Sequence, residues 1–215
     1  MMSGLFITFE GPEGSGKSTH IRRLREWLEK QDYTCLITRE PGGTGIAETL
    51  REIVKYHNSD EKIYDETEIL LFEASRAQHV RHLIKPALER GEIVLCDRFA
   101  DSSTAYQGYA RGLGPDTVRN LNAYAIGDCI PDLTLVLDIP PEIGLARTIE
   151  RSEARRNEDR MEAEALEFHR KVREGFLEIA RLEPERVKVV SSLDEADVVH
   201  QKIVGYAADA LAKIH

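Results

Sequence analysis

Cysteine is scarce: Cys35, Cys96 and Cys129 are the only three in 215 residues, and none has C-x-x-C spacing. That excludes a disulfide framework and a cysteine-built zinc site. Buried, inert thiols in a reducing, cytoplasmic compartment are the expectation. No window approaches the roughly 18 unbroken apolar residues of a membrane span. The amino terminus, Met1-Met2-Ser3-Gly4, leads into a short strand-like run with no basic segment and long apolar stretch, so no signal peptide is expected. Positive charge is in deficit too, with 29 Lys and Arg against 38 Asp and Glu, a net −9. That balance argues against a protein that coats nucleic acid or an anionic membrane, and leaves room for a local basic pocket. Repeats, low-complexity tracts and Pro/Ser-rich linkers are missing.

What is present alternates in a regular way. Short apolar runs at 5–9, 34–38, 93–96, 133–138 and 187–190 read as strands. Their unbroken apolar character suits strands covered on both faces. Amphipathic stretches at 18–30, 46–56, 65–90, 162–182 and 196–214 read as helices, with Pro86 as a kink in the third. In 65–90, Leu70, Ala74, Ala77, Ile84 and Leu88 form one stripe, assigned to the core. Phe72, Arg76, His79 and Leu83 lie nearly opposite. The pattern predicts an α/β fold: a five-stranded parallel sheet with helices on both faces, in one domain spanning 1–215. Ligands then bind outside the carboxyl ends of the strands. The charged stretch 150–164 reads as a mobile excursion.

The first run ends in Gly11-Pro12-Glu13-Gly14-Ser15-Gly16-Lys17-Ser18, which fits G-x-x-x-x-G-K-[ST]. Glycines let successive N–H groups turn inward onto a phosphate, and the following helix aims its positive end at the same anion. Lys17 can bridge transferred and retained phosphates, and the Ser18 hydroxyl can ligate Mg2+. The pattern establishes nucleotide binding without fixing the reaction. An N-K-x-D guanine-reading motif is absent, and the length fits a small phosphate-loop kinase.

The third strand ends in Asp97-Arg98-Phe99. Asp97 can orient Mg2+, accept a proton or merely cap a helix; Arg98 can clamp an anionic acceptor or form a surface ion pair. Ser103 and Gln107 share a face if 100–108 is helical, and a hydroxyl with an amide can read a nucleobase edge. Phe72 with Arg76 can stack on and hydrogen-bond a flat ring, or pack on a neighbouring helix or subunit. Arg39 and Arg51 are candidate phosphate contacts.

Four segments together resemble the thymidylate kinase family, nucleoside monophosphate kinases that make dTDP from dTMP and ATP: FEGPEGSGKST (9–19), TREPGGT (38–44), LFEASRAQH (71–79) and DRFADSSTAYQG (97–108). PDLTLVLD (131–138) and the charged 151–160 stretch fall where that family places its last core strands and its lid. The resemblance implies a P-loop nucleotide-kinase fold with a short lid at about 150–162. It implies that Gly11, Glu13, Gly14, Ser15, Gly16, Lys17, Ser18 and Thr19 hold ATP, with Ser18 and Asp97 at Mg2+. It implies that Phe72 stacks on thymine, Arg76 reads a thymine carbonyl, Ser103 and Gln107 contact the base edge, and Tyr106 crowds the sugar. Arg98 and Arg51 would hold the acceptor phosphate, and Glu13 would lie near the deoxyribose 3′-hydroxyl and help position the acceptor. The variable loop positions Pro12, Glu13, Gly14 and Ser15 carry no base. This resembles the lid-arginine, bacterial-type arrangement, with Arg155 the first choice for the catalytic arginine and Arg156 next; Arg147 would stack on adenine. A cytoplasmic homodimer supplying dTTP biosynthesis, without nucleic-acid or membrane partners, is the implied setting.

Overall fold

The computed structural model describes residues 4–56, 61–152, 161 and 164–213. The five expected runs are β1 (Leu5–Glu10), β2 (Cys35–Arg39), β3 (Ile93–Asp97), β4 (Leu133–Asp138) and β5 (Val187–Ser191). They form one sheet in the order β2-β3-β1-β4-β5, every pair parallel. Every residue of β1 is buried, as expected of a strand covered on both sides.

One face of the sheet carries Leu5, Ile7, Phe9 and Leu135 and is covered by Ile21, Leu24 and Leu28 of α1 (Lys17–Glu29) and by Val199, Ile203 and Ala207 of α9 (Ala196–Leu211). The other carries Phe6, Val94, Cys96 and Val136. It is covered by Val80, Ile84 and Ala87 of the helical segment that continues α3 (Asp65–His79), by Phe99, and by Val172, Phe176 and Ile179 of α8 (Leu166–Leu182). Since all strands are parallel, the loops after β1, β2 and β3 meet at one edge: Phe9 and Arg39 are both in register with Asp97.

The 65–90 helix is continuous but not uniform. After α3 comes a wider, π-type turn at Val80–Ile84, then α4 (Lys85–Glu89) with Pro86 at its start. The irregular turn stands just before the residue that has no N–H to donate. It also corrects the expected core stripe. Leu70 is 57% exposed and Ala74 is exposed, whereas Ile84 is buried. One extra residue in the turn shifts the helical phase, so positions in line before it leave the line after it. Before the turn, the inward face is largely polar: Glu68, Glu73, Ser75, Arg76 and His79, with Ile69.

The helix considered over 100–108 is α5 (Ala100–Ser103) running into π-type turns at Thr104–Ala110, and two helices were not anticipated: α6 (Pro115–Ile126) and α7 (Pro141–Ser152). α6 does carry readable boundary signals, with Gly114-Pro115 at its start and Gly127 at its end. α2 (Gly45–Tyr56) matches expectation, and α8 keeps its expected carboxyl end. Cys96 and Cys129 are buried and Cys35, on an edge strand, is half-buried; all three are free thiols.

Candidate active site

The loop between β1 and α1 is shaped by close backbone approach. Gly11 has φ +129° and Gly14 has φ +69°. A Cβ on Gly11 would collide with the Leu137 carbonyl of β4, and one on Gly14 with the Gly144 carbonyl of α7. The loop is thus clamped by its neighbours and can be built only with glycine there. Lys17 is buried, and its Nζ donates to the carbonyl oxygens of Gly11 and Pro12 at 3.1 Å each and to Ser15 Oγ at 3.3 Å. Burial, with Arg98 beside it, pushes the Lys17 ammonium down to about 8. Ser18 Oγ donates to Asp97 Oδ2 at 2.9 Å, which brings a hydroxyl and a carboxylate from β1–α1 and β3 together. Thr19 is exposed at the cleft edge.

Arg98 sits in the left-handed region, φ +69°. Three bonds to the buried Glu10 hold the strained turn: Phe99 N–H donates at 2.7 Å, Ser102 N–H at 3.3 Å and Ser102 Oγ at 2.5 Å. The turn aims Arg98 back across the loop. Nη1 donates to Gly11 O at 3.1 Å and Ser102 Oγ at 3.2 Å, and Nη2 pairs with Glu13 Oε1 at 2.5 Å. The Tyr106 hydroxyl donates to the same Glu13 oxygen at 3.0 Å, and the Arg98 guanidinium lies 5.1 Å from the Tyr106 ring centre. Burial alone would raise the Glu13 carboxyl, but Arg98, Lys17 and Lys55 outweigh it and hold it down at about 2.

Two cavities open on this edge. One follows the phosphate loop from Glu13 to Thr19 and is walled by Arg39, Arg51, Asp97 and Thr148. The second is lined by Phe72, Arg76, Phe99, Ser103, Tyr106, Gln107 and Met161. They share Glu13, Glu40, Lys55 and Arg98. Arg51 donates to Pro41 O at 2.7 Å, and Arg39 pairs with Glu48 at 2.9 Å. Lys55, one turn beyond Arg51 on α2, and Glu40 belong to the shared wall without having been anticipated. The i,i+4 spacing of Arg51 and Lys55 was the available signal.

The two arginines of the second cavity differ in kind. Arg76 is 2% exposed, and protein acceptors take all five of its N–H groups: Nε on Glu40 at 2.8 Å, Nη1 on Glu73 and on Asn122 at 2.8 Å, Nη2 on Phe99 O at 3.2 Å and Ser103 Oγ at 3.0 Å. Glu40 also meets His79 Nδ1 at 2.9 Å, whose Nε2 meets Thr38 Oγ1 at 2.7 Å. Arg98 spends three N–H groups on Gly11, Ser102 and Glu13 and also meets the Tyr106 hydroxyl, which leaves it less fully engaged than Arg76. An arginine of the first kind fixes its surroundings, and one of the second kind can accept a new anion.

Arg147 is half-buried on α7 and lines neither cavity. Arg155 and Arg156 lie outside the described residues, as does most of the expected lid.

Comparison with known proteins gives the geometry a family. A sequence model described as thymidylate kinase matches residues 9–203. The thymidylate kinase of a Bacillus pumilus strain is 47% identical over 212 residues, covering 99% of both chains. That of Syntrophotalea carbinolica is 49% identical over 208 residues, covering 96% of each. The crystal structure of thymidylate kinase from Ehrlichia chaffeensis superposes with a TM-score of 0.76 at 32% identity, covering 96% of this chain and 99% of that one. A match this long, over both the loop that fits phosphate and the cavity beside it, has one consequence: the chain belongs to the thymidylate kinase family.

Proposed function

We propose that this chain transfers the γ-phosphoryl group of ATP to dTMP, giving dTDP and ADP. The observation that carries the reading is the shared wall. A slot suited to a flat base and a cleft suited to a triphosphate meet at Glu13, Arg98 and Lys55. Two nucleotides in those cavities would bring their phosphates together at the wall, with Lys17 beneath.

The residues then divide the work. Backbone N–H groups from Gly11 to Thr19 and the amino end of α1 bind the donor phosphates, and Lys17 neutralises them. Arg98 offers its remaining N–H capacity to the acceptor phosphate, with Arg51 and Lys55 adding charge from α2. The attacking phosphate oxygen is already ionised, so no strong general base is required, and positioning with charge neutralisation supplies the rate. Glu13, held ionised, orients Arg98 and stands where a 3′-hydroxyl can donate to it. Phe72 flanks the base. Ser103 and Gln107 meet its edge, Arg76, its five N–H groups all taken by protein acceptors, holds Ser103 in place rather than reading a carbonyl itself as expected, and the Tyr106 ring narrows the space for a 2′-hydroxyl. Arg155 from the 150–162 stretch completes the charge neutralisation, and Arg147 is assigned to adenine.

Ser18 and Asp97 fit Mg2+: both offer hard oxygen donors, 2.9 Å apart, beside the phosphate loop. Mg2+ commonly uses one or two protein oxygens and completes its shell from phosphate and water. Once bound, the ion would neutralise phosphate charge.

We place the enzyme in the cytoplasm, in keeping with its three free thiols; no helix among the described residues is long and apolar enough to cross a membrane. A homodimer is proposed through α2, α3 and α6, whose exposed Ile46, Ile53, Leu70 and Tyr124 give these helices an unburied apolar surface.

The test is ADP release measured with ATP and Mg2+ alone and with dTMP, dUMP, dCMP, AMP, GMP or thymidine added. dTMP is expected to accelerate release most. Acceleration by thymidine or a purine monophosphate in its place, or by none, removes the reading.

A further inference from the structure

Glu68 is 0% exposed on α3, beneath the base slot and outside the phosphate cleft. Its Oε1 accepts from Gln107 Nε2 at 2.8 Å. Arg111, at the carboxyl end of the π-type turns, donates to both its oxygens, through Nε at 3.3 Å and Nη2 at 3.4 Å. Arg111 is anchored in turn by Glu164 at 2.6 Å and lies 4.6 Å from the Phe168 ring centre. With a guanidinium against both oxygens, the carboxylate presents acceptors only. A primary amide beside it must turn its NH2 inward. Gln107 is therefore held in one of its two amide orientations, and its Oε1 has no hydrogen-bonding partner among the described residues.

We infer that Glu68 is a specificity-determining positioning residue: by fixing the Gln107 amide, it presents a lone acceptor to the base slot and so selects pyrimidines that carry a hydrogen on N3. The inference rests on the proposed dTMP site and adds to it the group that sets the polarity of the readout.

Ser103 Oγ accepts from Arg76 Nη2 at 3.0 Å and its hydroxyl hydrogen is directed to Glu73, so Ser103 is tied to the protein on both sides. The slot thus offers acceptor character at Gln107. A thymine or uracil edge presents O4, an acceptor, beside N3–H, a donor. A cytosine edge presents the reverse, an N4 amino group beside an unprotonated N3. Cytosine would set its unprotonated N3 against the Gln107 oxygen, acceptor against acceptor, in a buried site, where unpaired polar groups are heavily penalised. The 5-methyl group plays no part here, so Glu68 should not distinguish dTMP from dUMP.

The experiment compares the parent with Glu68→Gln, measuring kcat/KM for dTMP, dUMP and dCMP. The side-chain amide introduced by that change can offer Gln107 either an oxygen or an NH2, so the Gln107 amide becomes free to turn. The dTMP-to-dCMP ratio is expected to fall by about tenfold or more, with dUMP following dTMP. A proportional loss on all three substrates, or no change in the ratio, overturns the inference. A parent that does not prefer dTMP to dCMP defeats the underlying site assignment instead, and that result is read without any variant. Should Glu68→Gln fail to fold, the parent alone decides. The Gln107 side-chain amide hydrogens, followed by NMR, should include one that exchanges slowly with solvent both free and with dTMP bound. Fast exchange of both hydrogens in the dTMP complex overturns the inference.

Discussion

At the scale of single residues, the site is governed by which charges remain available. Glu13 shows the effect of a cationic wall. Its folded value of about 2 lies below the ordinary 4.5. Between these values the unfolded chain binds more protons than the folded one, so stability rises with pH there. The contribution is complete above the unfolded value and is lost as pH falls toward 2. Glu13→Gln should therefore be less stable than the parent near neutrality, and the gap should close in acid. Thermal unfolding at about pH 7 and about pH 3 checks this. Individual residues were largely legible in the sequence, because glycine spacing, a lysine after the loop and an arginine after a strand each carry a chemical reason. Their donor states were not. That Arg76 is saturated while Arg98 is less fully engaged depends on Glu40, Glu73 and Asn122, which come from three distant parts of the chain.

At the scale of elements, strands were read better than helices. The central strands β1, β3 and β4 are short apolar runs buried on both faces, so composition marks them, while the edge strands β2 and β5 are partly exposed. The α3 helix misled because its inward face is polar, while its apolar residues Leu70 and Ala74 face outward. Hydrophobic periodicity assumes the opposite. α7 shows how an element acts on the site without touching substrate. Its Gly144 packs against the backbone of Glu13, and a Cβ there would collide with the Glu13 carbonyl oxygen. Gly144→Ala should lower stability by about 1–3 kcal/mol, as overpacked sites commonly do, with the phosphate loop displaced. Denaturant unfolding measures the first effect, and a raised KM for ATP reports the second.

At the scale of the whole molecule, the sheet order brings the loops after β1, β2 and β3 to one edge, and this much followed from the alternation of runs. The proposed dimer face did not, because Leu70 and Ala74, assigned to the core, lie at the surface. Leu70 is the residue to test: Leu70→Glu should convert a dimer to a chain of single mass, as measured by light scattering, with folding intact because the side chain is already 57% exposed. An unchanged mass would remove α3 from the interface. The common wall of Glu13, Glu40, Lys55 and Arg98 has a practical corollary for inhibitor chemistry. Since the two compartments share these four residues, a tethered compound carrying a pyrimidine at one end and a polyphosphate at the other could occupy both at once. Its affinity would then draw on two footholds whose natural occupants differ, which gives a designer a route to selectivity that neither compartment offers alone.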